Sequence, residues 1–285
     1  TRSDGAFHEC FHRKKHRWHT KHLDTRTCRY ADQSQIAQWA EDYGEDSDFF
    51  RIRVRGLFPN QAVVQMIGYG VAVDAAIRIV DDSAYDFAPK VIGVDVARFG
   101  DDSTVITKRQ GLYCFPQMVY RGKNTMEVAN IVAQEIMDWH PQSVFVDETG
   151  LGAGVVDRLN QLGFKVVGVN GSGASDDKRY LNKRVETWGV MADWIKTAQI
   201  PNNQELLDDL TTPEYFFTPK GQLQLESKDS LKKRGMPSPD RADSLALTFA
   251  YPVMATVPEK ILTQAEKDWR HLTGTDSSVS WNMGD

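Results

Sequence analysis

Val91-Ile92-Gly93-Val94-Asp95-Val96-Ala97-Arg98-Phe99-Gly100-Asp101-Asp102-Ser103-Thr104-Val105-Ile106 is the stretch whose reading decides the fold. Two β-rich runs flank a turn carrying Gly100, Asp101 and Asp102, which predicts a hairpin. The first run is apolar on both sides of one carboxylate, Asp95. Near-continuous apolar sequence is the pattern of a strand covered on both faces. An isolated carboxylate there is costly to ionise, so Asp95 needs a cation or hydrogen-bond donors. A divalent metal shared with other carboxylates would supply the cation. A strand-end Asp bonded to a loop would satisfy the same need.

Downstream, Leu112 to Val119 reads as a third strand after Gly111. Val128, Ile131, Val132, Ile136 and Trp139 recur at helical spacing, predicting a helix over Thr125 to Trp139 that Pro141 stops. Ser143 to Asp147 is a short buried strand, followed by a glycine-rich turn into a helix ending near Leu162. Lys165 to Val169 is another strand. Three strands in sequence, then helix, strand, helix, strand, is a mixed α/β order with right-handed crossovers. Asn170 to Asp177 reads as a loop, and Lys178 opens a helix to about Thr197. Gln204 to Leu210 is a short helix, Tyr215 to Leu225 a hairpin around Pro219-Lys220-Gly221, and Asp240 to Tyr251 the last helix.

Upstream, Thr1 to Tyr30 is basic and rich in histidine. Its His and Cys spacing lacks the paired Cys-x-x-Cys half of a zinc finger, which favours a solvated or phosphate-facing surface over a metal site. A helix is expected from Ser34, as N-cap, to Tyr43. Phe49 to Phe58 reads as a strand with Arg51, Arg53 and Arg55 on one face, and Asn60 to Ile79 as mostly helical. The divisions expected are 1–59, 60–89 as a helical junction, 90–257 as the main α/β unit, and 258–285 as a polar tail.

Net charge is −5, which argues against a uniformly basic nucleic-acid binder but permits local basic patches. The 3 cysteines are few and odd in number, as in a reducing compartment. No apolar run approaches the roughly 20 residues that cross a bilayer, and no signal-peptide pattern opens the chain. Nor does it contain a Gly-x-x-x-x-Gly-Lys-Ser/Thr phosphate loop.

Carboxylates stand where apolar elements do not call for them. Asp95 lies in the first strand, Asp147 ends another with Glu148 beside it, and Asp240 and Asp243 lie one turn apart on the last helix. Ala242, Ala246 and Ala250 recur every four residues there, so that helix can lie close to a sheet. A cluster of Asp95, Asp147 and Asp243 would need cations, and two divalent ions about 4 Å apart would suit phosphodiester hydrolysis. Oxygen-only ligands favour Mg²⁺ or Mn²⁺. Singly, Asp147 could instead cap its turn and Asp240 its helix.

The stretches Gly93 to Asp102, Val146-Asp147-Glu148-Thr149-Gly150-Leu151-Gly152 and Asp240-Arg241-Ala242-Asp243-Ser244-Leu245-Ala246 resemble, in order and spacing, the C-terminal nuclease half of the large terminase subunit of tailed bacteriophages. The resemblance spans about Phe49 to Tyr251, and Arg53 to Pro59 looks like that family's exit from its ATPase half. It implies an RNase H-like mixed sheet flanked by helices and a Mg²⁺- or Mn²⁺-dependent endonuclease that cuts concatemeric viral DNA. By motif, Asp95, Asp147 and Asp243 would be catalytic and carry the metals, with Asp240, Glu148 and Asp102 as second choices. Lys178, Arg179, Lys183 and Arg184 on one side, and Lys228, Lys232, Lys233 and Arg234 on the other, would meet DNA phosphates. The implied partners are double-stranded DNA, the small terminase subunit and the portal protein, in the cytoplasm of a bacterial host and without a membrane. The motor half's phosphate loop is missing, so no ATPase activity is expected from this chain alone. Three other readings stand beside this one: a non-catalytic DNA-docking or assembly module, an RNase H-like resolvase or transposase, and a sugar-kinase-like ATPase.

Overall fold

The structure is a computed structural model that describes residues 6–58, 65–97 and 103–254. In chain order, α1 (Ala6–Phe11), α2 (Gln33–Tyr43), α3 (Asp48–Arg53) and α4 (Tyr69–Ile77) precede a sheet. Its strands are β1 (Lys90–Asp95), β2 (Thr104–Gln110), β3 (Tyr113–Cys114), β4 (Met118–Tyr120), β5 (Ser143–Asp147) and β6 (Val167–Val169). Helix α5 (Thr125–Trp139) lies between β4 and β5, and α6 (Gly152–Gln161) between β5 and β6. Then come α7 (Lys183–Trp194), α8 (Gln204–Thr211), a hairpin of β7 (Tyr215–Phe217) and β8 (Leu223–Leu225), α9 (Lys228–Lys233) and α10 (Asp240–Leu247). The sheet order is β3-β2-β1-β5-β6, with β4 also paired to β2. β1 runs antiparallel to β2 and parallel to β5, which is parallel to β6.

The two-residue repeat of a strand decides which side chains share a face. Ile92 and Val94 pack with Val128 and Val132 of α5 and with Val155 and Leu159 of α6. Val91 and Phe145 lie on the other face, against Leu247 and Ala250. Asp95 is in step with Val91 and Gly93, and Asp147 with Phe145. Val94 is matched with Val146 across β1 and β5. Asp95 and Asp147 are therefore adjacent residues at the C-terminal ends of parallel neighbours, on the face that α10 covers.

Helix α10 comes close because Gly93 carries no side chain. A Cβ there would run into the Ser244 carbonyl oxygen and crowd Thr248. Ser244 Oγ lies 3.0 Å from the carbonyl oxygens of Gly93 and Val105 and 2.8 Å from Thr107 Oγ1. Arg109 secures the far end, donating to Thr248 Oγ1 at 2.8 Å and to its carbonyl at 2.9 Å. The other side of α10 buries Ala242, Leu245 and Ala246 with Trp188, Met191, Leu206 and Leu210.

Several expectations are corrected. Phe49 to Phe58 is not a strand: α3 occupies its start, because Ser47 Oγ accepts from Phe50 N and caps a helix that buries Phe49 and Phe50, with Val54 at its C-cap. The arginine row does not exist; Arg53 donates to the Thr218 carbonyl at 2.5 Å. Helix α2 is capped by Asp32, whose carboxylate accepts from Ser34 N and Gln35 N, not by Ser34. The third strand is two pieces, Tyr113–Cys114 and Met118–Tyr120, on either side of Pro116, which has no N–H to give a ladder. Helix α7 begins at Lys183, after the Asn182 cap, and not at Lys178. Helix α10 stops at Leu247, and Asp240 is its first helical residue behind Pro239 at the N-cap, so the capping reading of Asp240 fails. The turn at Gly100 to Asp102, the 60–64 part of the helical junction with residue 59 before it, and the tail lie outside the described residues.

Adding a methyl group at Gly93 must push α10 off the sheet. Gly93→Ala is expected to cost about 1–3 kcal/mol, the usual cost of overpacking, read from the urea midpoint. An unchanged midpoint would contradict the close approach.

Candidate active site

Asp243 is the most heavily bonded carboxylate of the group. Its position on α10 turns it toward α7, where Arg184 Nε approaches Oδ1 at 3.0 Å and Nη2 approaches Oδ2 at 3.3 Å. Trp188 Nε1 donates to Oδ1 at 2.8 Å. Arg184 and Trp188 lie one helical turn apart on α7, so one helix face supplies both donors. From the other side Lys228 Nζ reaches Oδ2 at 3.0 Å. Burial alone would raise the Asp243 carboxyl, but Arg184, Lys228 and the hydrogen bonds outweigh it and hold the group well below the usual carboxylate range.

Asp95 has fewer partners. Its side chain is 7% exposed, and among the described residues it meets Lys228 Nζ, 3.3 Å from Oδ2. Burial pushes its carboxyl up to about 7; Lys228 opposes the rise, while Asp243, Asp240 and Asp147 add to it. Two buried carboxylates sharing one ammonium titrate as a pair rather than as independent groups. Lys228 itself feels burial as a pressure to lose its proton, but Asp243 and Asp95 outweigh that and keep it charged. Asp240 stands 4.0 Å from the same ammonium and accepts from Ser103 N at 2.7 Å. Asp147, half-buried, accepts from Thr149 N at 2.9 Å, so it does cap its turn. It also lines a cavity of about 40 Å³ with Lys183, Arg184, Thr187, Lys228 and Asp243.

Do these residues suit divalent ions? Among the described residues no three His, Cys, Asp or Glu side chains stand as a ready-made metal cluster. The donor set is nevertheless all carboxylate oxygen, the chemistry of Mg²⁺ and Mn²⁺ sites. The Lys228 ammonium is a cation standing between Asp95 and Asp243, and it is carried on a partly exposed side chain. The place thus suits a positive charge, and Lys228 must move out for an ion to take it. Asp95, Asp147 and Asp243, with Asp240 beside them, are the residues that fit.

The structure brings together Asp95, Asp240 and Asp243 around Lys228, with Asp147 on the adjacent strand. Glu148 turns elsewhere, its side chain lying against Gly168 of β6. Asp102 lies outside the described residues. The basic residues divide. Arg184 and Lys228 point inward to the carboxylates, and Lys183 is buried against Asp176 and Glu186 at 2.7 and 3.2 Å. Arg234 is paired with Glu226 at 2.5 Å, and Arg179 with Asp177 at 2.6 Å. Lys178, Lys232 and Lys233 are exposed. The sequence does not single out Trp188, and it assigns Arg184 and Lys228 to DNA phosphates rather than to the carboxylates. Helical spacing of Arg184 and Trp188 was visible, but nothing local to them names Asp243 as the partner.

No protein-family model and no curated protein sequence matches the chain. Solved structures do match. The nuclease domain of the large terminase subunit gp2 of bacterial virus Sf6 has 18% identity and a TM-score of 0.56, covering 66% of this chain and 100% of its own. A variant gp2c of the large terminase subunit from bacteriophage Sf6 with calcium gives a TM-score of 0.57 at the same identity and coverage. A variant nuclease domain of gp2 with manganese and beta-thujaplicinol also gives 0.57 at 18% identity. The chain has the RNase H-like fold of these terminase nuclease domains.

A raised pKa for Asp95 means that folding favours its protonated form. Its contribution to stability is then full below the ordinary carboxylate range and is lost as pH rises through about 7. Asp95→Asn stays neutral throughout, so in EDTA the variant is expected to gain stability relative to wild type between pH 4 and pH 8. Urea midpoints at both pH values check this; a constant difference would contradict the shift.

Proposed function

We propose that this chain is a divalent-metal-dependent endodeoxyribonuclease of the large-terminase type, cutting concatemeric double-stranded DNA during viral genome packaging. One observation carries the reading: Asp95 and Asp243, from a strand end and a helix, share a single ammonium, with Asp147 next along the sheet. Such a cluster tolerates its charge only with a cation in place. The likeness to terminase nuclease domains supports the same reading at the level of fold.

Bound Mg²⁺ or Mn²⁺ would supply the positive charge that activates water and stabilises the leaving oxygen in phosphodiester hydrolysis. The chain's own residues do the rest. Asp95, Asp147 and Asp243 hold the ions, with Asp240 within reach on the same helix turn. Arg184 and Trp188 fix the Asp243 carboxylate and keep it ionised, so it is ready to bind. Lys228 neutralises the cluster through its pairs with Asp95 and Asp243, and with a metal held there its ammonium would be free to meet a DNA phosphate. Exposed Lys178, Lys232 and Lys233 would contact flanking phosphates, giving salt-dependent binding with little sequence preference. The small terminase subunit and the portal protein are the partners this reading assigns.

Purified protein is expected to nick and linearise supercoiled plasmid with Mn²⁺ or Mg²⁺ but not with EDTA. Asp95→Ala is expected to lower the rate by at least about 10²-fold, as for loss of a group that positions the reacting centre. Metal-independent cutting, or full activity of Asp95→Ala, would contradict the reading. No cutting by folded protein under either metal would move the DNA-docking module ahead.

A further inference from the structure

Helix α10 carries Asp240 and Asp243, yet its own sequence does not cap it. Pro239 occupies the N-cap and offers no side-chain acceptor. With Asp240 as the first helical residue, the backbone N–H groups left without an intrahelical partner include those of Arg241 and Ala242. These are the second and third positions, which an N-cap side chain ordinarily serves. A residue far away in sequence serves them: Asp209 on α8 accepts from Arg241 N at 2.9 Å, and the neighbouring Ala242 N–H also favours its charged form. One turn earlier on α8, Glu205 forms an ion pair with the Arg241 side chain. The first turn of α10 is thus fastened to α8 at its backbone and at a side chain.

The other fastenings of α10 act on other groups than its first N–H donors. Ser244 bonds the sheet carbonyls, and Arg109 bonds Thr248. Gln117 donates to the Arg241 carbonyl at 2.9 Å. At the first turn, the Asp209 carboxylate accepts from the Arg241 N–H. That turn sets where Asp240 stands relative to Ser103 N and Lys228, and it is the start from which Asp243 is reached.

We propose that Asp209 is a positioning residue of the metal site: it caps α10 from α8 and thereby holds Asp240 and Asp243 where they can share a cation. This rests on the metal-dependent reading above, since the role is exercised through the candidate ligands. Asp209 acts through the helix it caps and is not one of the candidate ligands. The like charge of Asp209 near Asp240 and Asp243 would count against it if the residue were there only for packing. Its place is explained by the helix N–H groups it faces, Arg241 N foremost, and an amide oxygen could accept from them equally well.

The test compares Asp209→Ala and Asp209→Asn with wild type in the full chain, with Asp95→Ala as reference. The first readout is amide hydrogen exchange without metal. Asp209→Ala is expected to speed exchange at Arg241 and Ala242 while Leu245 to Leu247 stay protected, and Asp209→Asn to restore protection. The second readout is Mn²⁺ affinity by titration. Asp209→Ala is expected to bind about 10-fold more weakly or worse, the usual effect of losing an outer support of a ligand, and Asp209→Asn to bind near the wild-type level. Wild-type exchange at Arg241 and Ala242 in Asp209→Ala overturns the cap. Wild-type Mn²⁺ affinity in Asp209→Ala, beside a loss in Asp95→Ala, overturns the positioning role and leaves the metal reading standing. Wild-type affinity in both overturns the metal reading, and the positioning role with it.

Discussion

A helix can approach a sheet closely only where the sheet has no side chain to hold it off, and at Gly93 it has none. That one missing side chain brings the backbone of α10 against β1, with Ser244 bonded to the carbonyls of Gly93 and Val105. Asp95 lies two residues along the same strand face, and Asp243 one residue before Ser244. The approach of backbone to backbone therefore sets the distance between two carboxylates. They are close enough to share the Lys228 ammonium at 3.3 and 3.0 Å. The chemistry of the site follows from the packing.

Once the carboxylates are that close, electrostatics forces asymmetry on them. Asp243 receives Arg184, Trp188 and Lys228, and ionises readily despite its burial. Asp95, whose partner among the described residues is Lys228, is driven toward its neutral form by burial. One carboxylate is thus prepared to bind a cation, while the other is prepared only when the cation is present. An ion entering the cluster would have to replace Lys228 and remove a proton or its equivalent cost from Asp95. On the proposed metal reading, occupancy would depend on pH and on the freedom of the Lys228 side chain, which hangs from the first turn of α9 directly after the β7–β8 hairpin.

Much of this was legible in the sequence, for a definable reason. Strands and helices with strong periodicity, such as Thr125–Trp139 and Ser143–Asp147, carry their own signal and are found at the expected bounds. The candidate carboxylates were visible because each interrupts an apolar pattern, and Asp95, Asp240 and Asp243 do converge. What was not legible depends on tertiary partners. Phe49 to Val54 alternates like a strand, yet the Ser47 cap and the burial of Phe49 against Trp39, Tyr43 and Phe217 make it a helix. Arg184 and Lys228 look like surface cations until their buried partners are known. The cap on α10 comes from α8, so no local reading of Pro239-Asp240 could supply it.

The central claim is that Lys228 stands where a divalent cation belongs. A crystal structure of the chain grown with Mn²⁺ tests it most directly, through the anomalous signal of the metal. The expected result is a peak between Asp95 and Asp243, with the Lys228 ammonium withdrawn from both. A structure with Lys228 still bridging the two carboxylates at saturating Mn²⁺, and no peak beside them, would contradict it.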